Sequence, residues 1–286
     1  MIRHLICVAL AASFATPAPA QSAPADSQAP SPDELARKDR VTIGVGGALI
    51  PDYEGANESR LIPAGAIRGQ ISGISFSSQG TYLYVDVIPR GSGKLEFDAG
   101  PIVGARMNRT KHHLKDDIVD LLPRRKTAIE AGGFAGVTLH GLTNPYDSLS
   151  LHLDVVHDVA NAHQSTTFSP AVDFATPLSR TTYVSASLNA EFVGNKYADY
   201  YFSITPADSL ATAGVLPVFN AGSGMKDWKA SLLLNQSLTG DLTHGLSIFG
   251  MGSYSRLVGD FKRSPIVSQR GSASQWIGAA GLAYTF

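Results

Sequence analysis

The chain has 286 residues, 44% of them hydrophobic but only 16% charged, against about 25% charged in an ordinary soluble domain. Its 23 basic and 24 acidic residues leave a formal charge of −1 and its cysteine count is one, which excludes a chain-wide basic field for nucleic acid and a disulfide scaffold. Glycine, at 28 residues, is about a tenth of the chain where about 7% is usual, and joined to low charge it is an odd mixture for a soluble enzyme.

Residues 1–20 read as a secretory signal. Arg3 and His4 give a short positive start, Leu5 to Phe14 are apolar, and Ala18-Pro19-Ala20 offers a small-x-small cleavage site. Residues 21–40 hold Pro24, Pro30 and Pro32 among Ala, Ser and charged residues, the composition of a solvated periplasmic leader. Beyond it no window offers 18 consecutive apolar residues, so helical membrane spans are excluded.

From Val41 to Phe286 the pattern alternates with period two. Leu95, Phe97, Ala99, Val103, Ala105 and Met107 share one face, while Lys94, Glu96, Asp98 and Arg106 share the other. Ile129, Ala131, Ala135, Val137 and Leu139 oppose Glu130, Thr138 and His140, and Leu149, Leu151, Leu153 and Val155 oppose Ser150, His152 and Asp154. Candidate strands fall at 41–49, 60–68, 72–79, 81–88, 93–107 and 127–140. The second half continues with 147–159, 164–177, 181–195, 225–238, 243–258 and 270–286. Several exceed the five or six residues of globular sheets and suit a tilted membrane crossing. Tight connections alternate with long ones at 50–59, 108–126, 196–224 and 259–269, the asymmetry of an outer-membrane barrel. The expectation is an all-β fold: a transmembrane antiparallel β-barrel of about 12 strands over 41–286, with 10 as the alternative count. An even count puts both barrel ends on the periplasmic side.

Charge is scarce because one face of each strand meets lipid. Glu96, Asp98, Glu130, Asp154, Asp158, Asp173 and Glu191 are expected in the lumen, with Lys94 and Arg106 as inward cations. A continuous water path there would favour cations. Arg109, Lys111, Lys115, Arg124, Arg125 and Lys126 outnumber Asp116, Asp117 and Asp120 on a loop of the outer rim, which could meet lipopolysaccharide phosphates or equally be a merely solvated loop. Lys111-His112-His113 with Asp116 and Asp117 has metal-binding residue types, but on a charged loop the solvated reading is the better one. His152, Asp154, His157 and Asp158 invite a hydrolase reading. His157 faces away from His152, and no serine is marked as a nucleophile by a strained turn, so a hydrogen-bond network is preferred. The long loop 196–224, with Tyr197, Tyr200, Tyr201, Phe202 and Phe219, could fold over the barrel mouth as a lid or present a binding surface, and the structural fold-in role is the preferred reading. On the last strand Trp276, Gly278, Ala280, Leu282, Tyr284 and Phe286 share a face, and Leu282, Tyr284 and Phe286 resemble the signal recognised by the outer-membrane insertion machinery.

Several segments are similar to the MipA/OmpV outer-membrane proteins. Tyr200-Tyr201-Phe202-Ser203 and Gly214-Val215-Leu216-Pro217-Val218-Phe219-Asn220-Ala221-Gly222 resemble its Y-x-x-[ST] and S-G-L-P-x-[YF]-x-A-G segment. Arg256-Leu257-Val258-Gly259-Asp260 with Ser264-Pro265-Ile266-Val267 resembles R-L-x-G-D…S-P-[IL]-V, and Gly46-Gly47, Pro51-Asp52-Tyr53-Glu54-Gly55 and Pro63 match the opening. Ala213 stands where the family usually has Ser, Phe219 where Tyr is frequent, and 108–126 matches nothing in it. The resemblance covers essentially the whole mature chain and implies a barrel in the outer membrane of a Gram-negative bacterium. It also implies a non-enzymatic scaffold bringing a lytic murein transglycosylase together with a murein synthase in cell-wall growth, without catalytic residues or cofactor. A weakly cation-selective porin-like channel and a surface antigen or adhesin are the alternatives. The expected partners are outer-membrane lipid and lipopolysaccharide, the two murein enzymes, and the barrel assembly machinery during biogenesis; nucleic acid is not one.

Overall fold

The computed structural model describes residues 38–89 and 93–286; the expected signal and residues 21–37 of the leader lie outside the described residues. Twelve strands follow one another: β1 (Arg40–Pro51), β2 (Ser59–Ile71), β3 (Ile74–Gln79), β4 (Tyr82–Asp86), β5 (Leu95–Arg106) and β6 (Ala128–His140). The second half holds β7 (Ser148–Asp158), β8 (Thr166–Pro177), β9 (Thr182–Val193), β10 (Gly224–Ser237), β11 (Gly245–Leu257) and β12 (Ser274–Thr285). Each pairs antiparallel with its sequence neighbours, and β1 closes the barrel on β12 from Thr42↔Thr285 to Leu49↔Gly278. The count is twelve because the short β3 and β4 are both strands. Between β2 and β3, Ser72 (φ 52) and Gly73 (φ 83) are both left-handed, as the favoured two-residue hairpin turn requires.

Alternation sorts the side chains as the period-two reading expects. Val45, Leu61, Phe97, Leu151, Leu188, Leu232 and Leu282 stand on the outer wall, with Leu61 76% and Phe97 63% exposed. An apolar wall that runs around the whole barrel needs lipid rather than water outside it. The lumen face is polar and glycine-rich for a steric reason. A Cβ on Gly132 would lie 1.9 Å from the Val155 carbonyl oxygen, and one on Gly100 1.8 Å from that of Val85. Only glycine permits that approach of neighbouring backbones. On the lipid face, by contrast, a Cβ at Gly250 or Gly252 meets nothing within 4 Å.

Both ends of the barrel chain lie at one rim, here the terminal rim, with the β2–β3, β4–β5, β6–β7, β8–β9 and β10–β11 connections. The opposite rim, the loop rim, carries the long connections. The asymmetry is incomplete, since the β3–β4 and β7–β8 connections on that rim are short. Two further departures concern the strands themselves. Residues 270–273, expected in the last strand, instead lead out of a helical turn, and β12 starts at Ser274. A register shift between Met225 and Asp227 places a bulge in β10.

Candidate functional site

The long loops of the loop rim fold inward and share one core. The β9–β10 connection contains α1 (Asn195–Phe202) and α2 (Pro206–Ala211); the β11–β12 connection contains α3 (Gly259–Arg263) and α4 (Pro265–Ser268). In α1 the buried residues are Tyr197, Ala198, Tyr201 and Phe202, a spacing that puts them on one helical face. Helix α2 is started by Thr205 and Asp208, which cap each other's backbone N–H, and by Pro206 in the first turn. Beyond its end Ala213 (φ 52) and Gly214 (φ 79) are both left-handed. Helix α1 packs with Tyr53 and Ala56 of the β1–β2 loop, Val119 and Leu122 of the β5–β6 loop, Leu216, and Phe261, Ile266 and Val267 of α3 and α4. Phe202 meets Phe261 edge to face at 5.1 Å between ring centres. Tyr53 donates to the Ile266 carbonyl at 3.2 Å, and Ser264 to that of Phe202 at 2.5 Å. The result is a plug over the mouth, as expected of the aromatic loop 196–224.

Beneath the plug a charge network ties the loops to the wall. Arg106 on β5 pairs with Glu130 on β6 at 3.0 Å, Glu191 on β9 at 2.8 Å and Glu54 of the β1–β2 loop at 3.3 Å. Lys226 in the β10 bulge reaches Glu191 at 2.6 Å, Glu54 at 3.2 Å and Asp227 at 3.4 Å. The Tyr197 hydroxyl donates to Glu54 at 3.0 Å and accepts from Arg106 at 3.0 Å. Tyr82 donates to Glu130, which His163 of the β7–β8 loop also contacts at 2.8 Å. β5 and β10 stand five places apart in the ring of strands, so the network spans the lumen rather than one side of it. Burial favours the neutral form of the Glu54 carboxyl, but the Lys226 and Arg106 charges outweigh it and hold the group below its ordinary range. Burial pushes the Tyr197 hydroxyl well up despite the same cations, so it stays a proton donor.

The basic loop spends most of its charge internally. Lys111 binds Asp52 at 2.8 Å, Lys115 the Ser59 carbonyl at 2.7 Å, and Arg124 the Thr110 carbonyl and the His112 ring. Arg125 stacks on Tyr200 at 4.9 Å, while Lys126 is exposed. Arg109 is buried and donates to the Tyr201 carbonyl at 2.8 Å, yet its Nε and Nη1 have no partner. Burial, then the Arg125 charge, pulls its proton affinity down. Asp52 is opposed by burial but held low by Lys111, the Lys115 N–H and Arg60.

Toward the terminal rim the other lumen residues form separate small networks. Glu96 meets His140 at 3.0 Å, Asp98 accepts from Thr138 at 2.5 Å, and Asp154 accepts from Tyr84 at 2.8 Å. His152 lies 3.3 Å from Asp173 and 3.7 Å from Asp154. Asp158 instead organises the β7–β8 turn, accepting the N–H groups of Ala160, His163 and Gln164. Lys94 is exposed just before β5 rather than within it; Arg68 and Lys229, on the lumen parity of β2 and β10, add inward cations, and the bulge turns Lys226 inward against its parity. The lumen is therefore less one-sidedly acidic than its strand pattern suggests. Among the described residues no group of three or more His, Cys, Asp or Glu side chains could hold a metal ion. Leu282, Tyr284 and Phe286 lie on the outer wall, and the last two rings touch at 4.7 Å between centres.

The sequence missed Glu54, Tyr197, His163, Lys226 and Asp227 as members of the network. Only Lys226-Asp227 had a local signal: two adjacent charges cannot share one face of a regular strand, so they mark a bulge. A family model described as MltA-interacting protein MipA matches residues 43–286. The chain belongs to that family. It is an outer-membrane β-barrel of a Gram-negative bacterium, and the MipA match takes in both the plug loops and the network. No curated protein matches the chain significantly. Among solved structures, it is similar to the outer membrane channel DcaP of Acinetobacter baumannii, with 9% identity, 86% of this chain and 96% of that chain covered, and a TM-score of 0.41. An outer membrane channel from Pseudomonas putida F1 gives 9% identity, 93% and 100% coverage, and a TM-score of 0.43.

Proposed function

We propose that this MipA-family barrel is a non-enzymatic scaffold that holds a lytic murein transglycosylase and a murein synthase together at the inner surface of the outer membrane. The observation that carries the reading is the plug. A mouth filled by Tyr197, Tyr201, Phe202, Phe261 and Ile266, and braced by Arg106 and Lys226, suits a membrane-fixed platform better than a conduit. The platform would then work through its terminal rim, facing the periplasm, with the leader as a tether. The family's description, an MltA-interacting protein, supports a murein enzyme as one partner. The Leu282, Tyr284 and Phe286 face would serve the assembly machinery during insertion.

The test is capture from native membranes. The purified full-length mature protein is expected to enrich a lytic transglycosylase and a murein synthase over an unrelated barrel, and equal recovery on both would remove the scaffold. A weakly cation-selective channel is the second reading, favoured by Glu96, Asp98, Asp154 and Asp173 on the lumen wall below the network. It predicts stepwise conductance in planar bilayers, lowered by Asp98→Asn. Verified insertion with a silent bilayer would exclude it.

A further inference from the structure

Among the described residues, Arg256 is the one Asp, Glu, Lys or Arg within the strands that shares the lipid face. It pairs across with Trp228 on β10 and Ser274 on β12, one step from Tyr254↔Trp276, and these positions continue the exposed row of Ile248 on β11. It lies one residue before the end of β11, at the loop rim, where the cost of a charge on the lipid face is smallest. Its guanidinium donates to Ser274 Oγ at 3.2 Å, also interacts with the Tyr254 hydroxyl that shares this Oγ, and forms no ion pair among the described residues. A guanidinium has five N–H donors in a fork that suits phosphate, so most of this one is unspent.

The surroundings favour a lipid. Trp228, Tyr254 and Trp276 form a ladder with ring centres 5.4 and 4.9 Å apart, and Trp276 is 67% exposed. Such rings settle where headgroups meet acyl chains. Below them the wall is flat: Gly252 faces Gly278 and Gly250 faces Ala280 across β11 and β12. A cation, an aromatic belt and a smooth apolar lane, stacked in that order away from the rim, match phosphate, sugar and acyl chain. Of the β5–β6 loop cations, Arg109, Lys111 and Lys115 are engaged with neighbouring segments and Arg124 with Thr110 and His112 of its own loop, while the exposed Lys126 has no part in the aromatic ladder.

We propose that Arg256, with Trp228, Tyr254 and Trp276, forms a binding site on the outer wall for the phosphate of an outer-leaflet glycolipid. This rests on the barrel standing in the outer membrane with its loop rim outward. Folded protein in detergent is mixed with diphosphoryl lipid A or a phosphate-free glycolipid of matched chains, and retained lipid is read by native mass spectrometry. Wild type is expected to retain the phosphorylated lipid preferentially. Arg256→Gln is expected to retain it about tenfold less, Arg256→Lys to recover part of the loss, and neither to alter the phosphate-free lipid. Trp276→Leu, which leaves the charge in place, is expected to weaken both lipids. Equal retention by wild type and Arg256→Gln, or no preference for phosphate in wild type, overturns the proposal. Displacement of the lipid by millimolar inorganic phosphate would reassign the site to a free anion and also overturn it. Heat-modifiable gel mobility checks folding of every variant. Its loss in the wild type would instead count against the barrel reading itself.

Discussion

Replacing Lys226 with methionine tests whether the charge network holds the plug shut. The ammonium is buried, 2.6 Å from Glu191 and within 3.4 Å of Glu54 and Asp227. Its removal leaves three carboxylates facing one another with Arg106 as the remaining strong cation. Breaking a buried ion pair on one side costs about 3–5 kcal/mol, and each 1.4 kcal/mol is about a factor of ten. The barrel wall keeps its ladder of hydrogen bonds, so the loss falls on the plug, whose opening should become roughly a hundredfold to a few thousandfold more frequent. Chymotrypsin reads this directly, because Tyr197, Tyr201 and Phe202 are buried when the plug is closed. Lys226→Met in sealed membranes is expected to be cut within α1 far faster than wild type, with unchanged heat-modifiable mobility. Lys226→Met combined with Glu191→Gln removes charge from both sides and should recover much of the protection. A single variant cut at the wild-type rate, or a double variant cut faster than the single, would refute the electrostatic account.

Other outcomes follow from the same geometry. Gly132→Ala forces a Cβ to 1.9 Å from a backbone oxygen and is expected to reduce folding yield in vesicles sharply, whereas Gly252→Ala, with open space around it, should fold normally. Glu54 and Asp52 are held below their ordinary values of 4.5 and 3.8, so their stabilising contribution is complete above those values and lost as pH falls through the lowered ones. Protection factors of the α1 amides, with the intrinsic pH dependence of exchange divided out, should therefore be steady between about pH 6 and 8 and fall below about pH 4; a loss of protection on the alkaline side instead would contradict the assignment. Arg109→Met removes a buried cation with two unpartnered donors. It is expected to leave plug protection unchanged or improved by about 1 kcal/mol, and a marked loss would show that the charge is compensated.

The wall was legible because its rule is local. Lipid outside and a polar lumen inside force every second residue into the same role, so Leu95 to Arg106 announces its faces without any partner being known. The alternation even found β3 and β4, which are short but keep the pattern. It failed at Lys226 for the same reason that it worked elsewhere: a single extra residue in β10 reverses the face, and parity then assigns the side chain to lipid. The network was illegible for a different reason. Glu54, Arg106, Tyr197 and Lys226 come from two loops and two strands, and nothing near any of them in sequence reports the other three. Likewise the basic appearance of 108–126 did not reveal that Asp52, Ser59 and Tyr201 were waiting for its cations.

A core shared by four loops limits how the exposed surface can change. A substitution at Tyr53, Val119, Phe202 or Ile266 disturbs the packing of segments that begin on different strands, so these loops cannot diversify one at a time. Freedom to vary is left to the tips that the core does not use, such as Asn57, His113 and Leu210, all exposed. To an antibody or a phage the molecule would present a few changeable points set on a face that can only be remodelled as a whole.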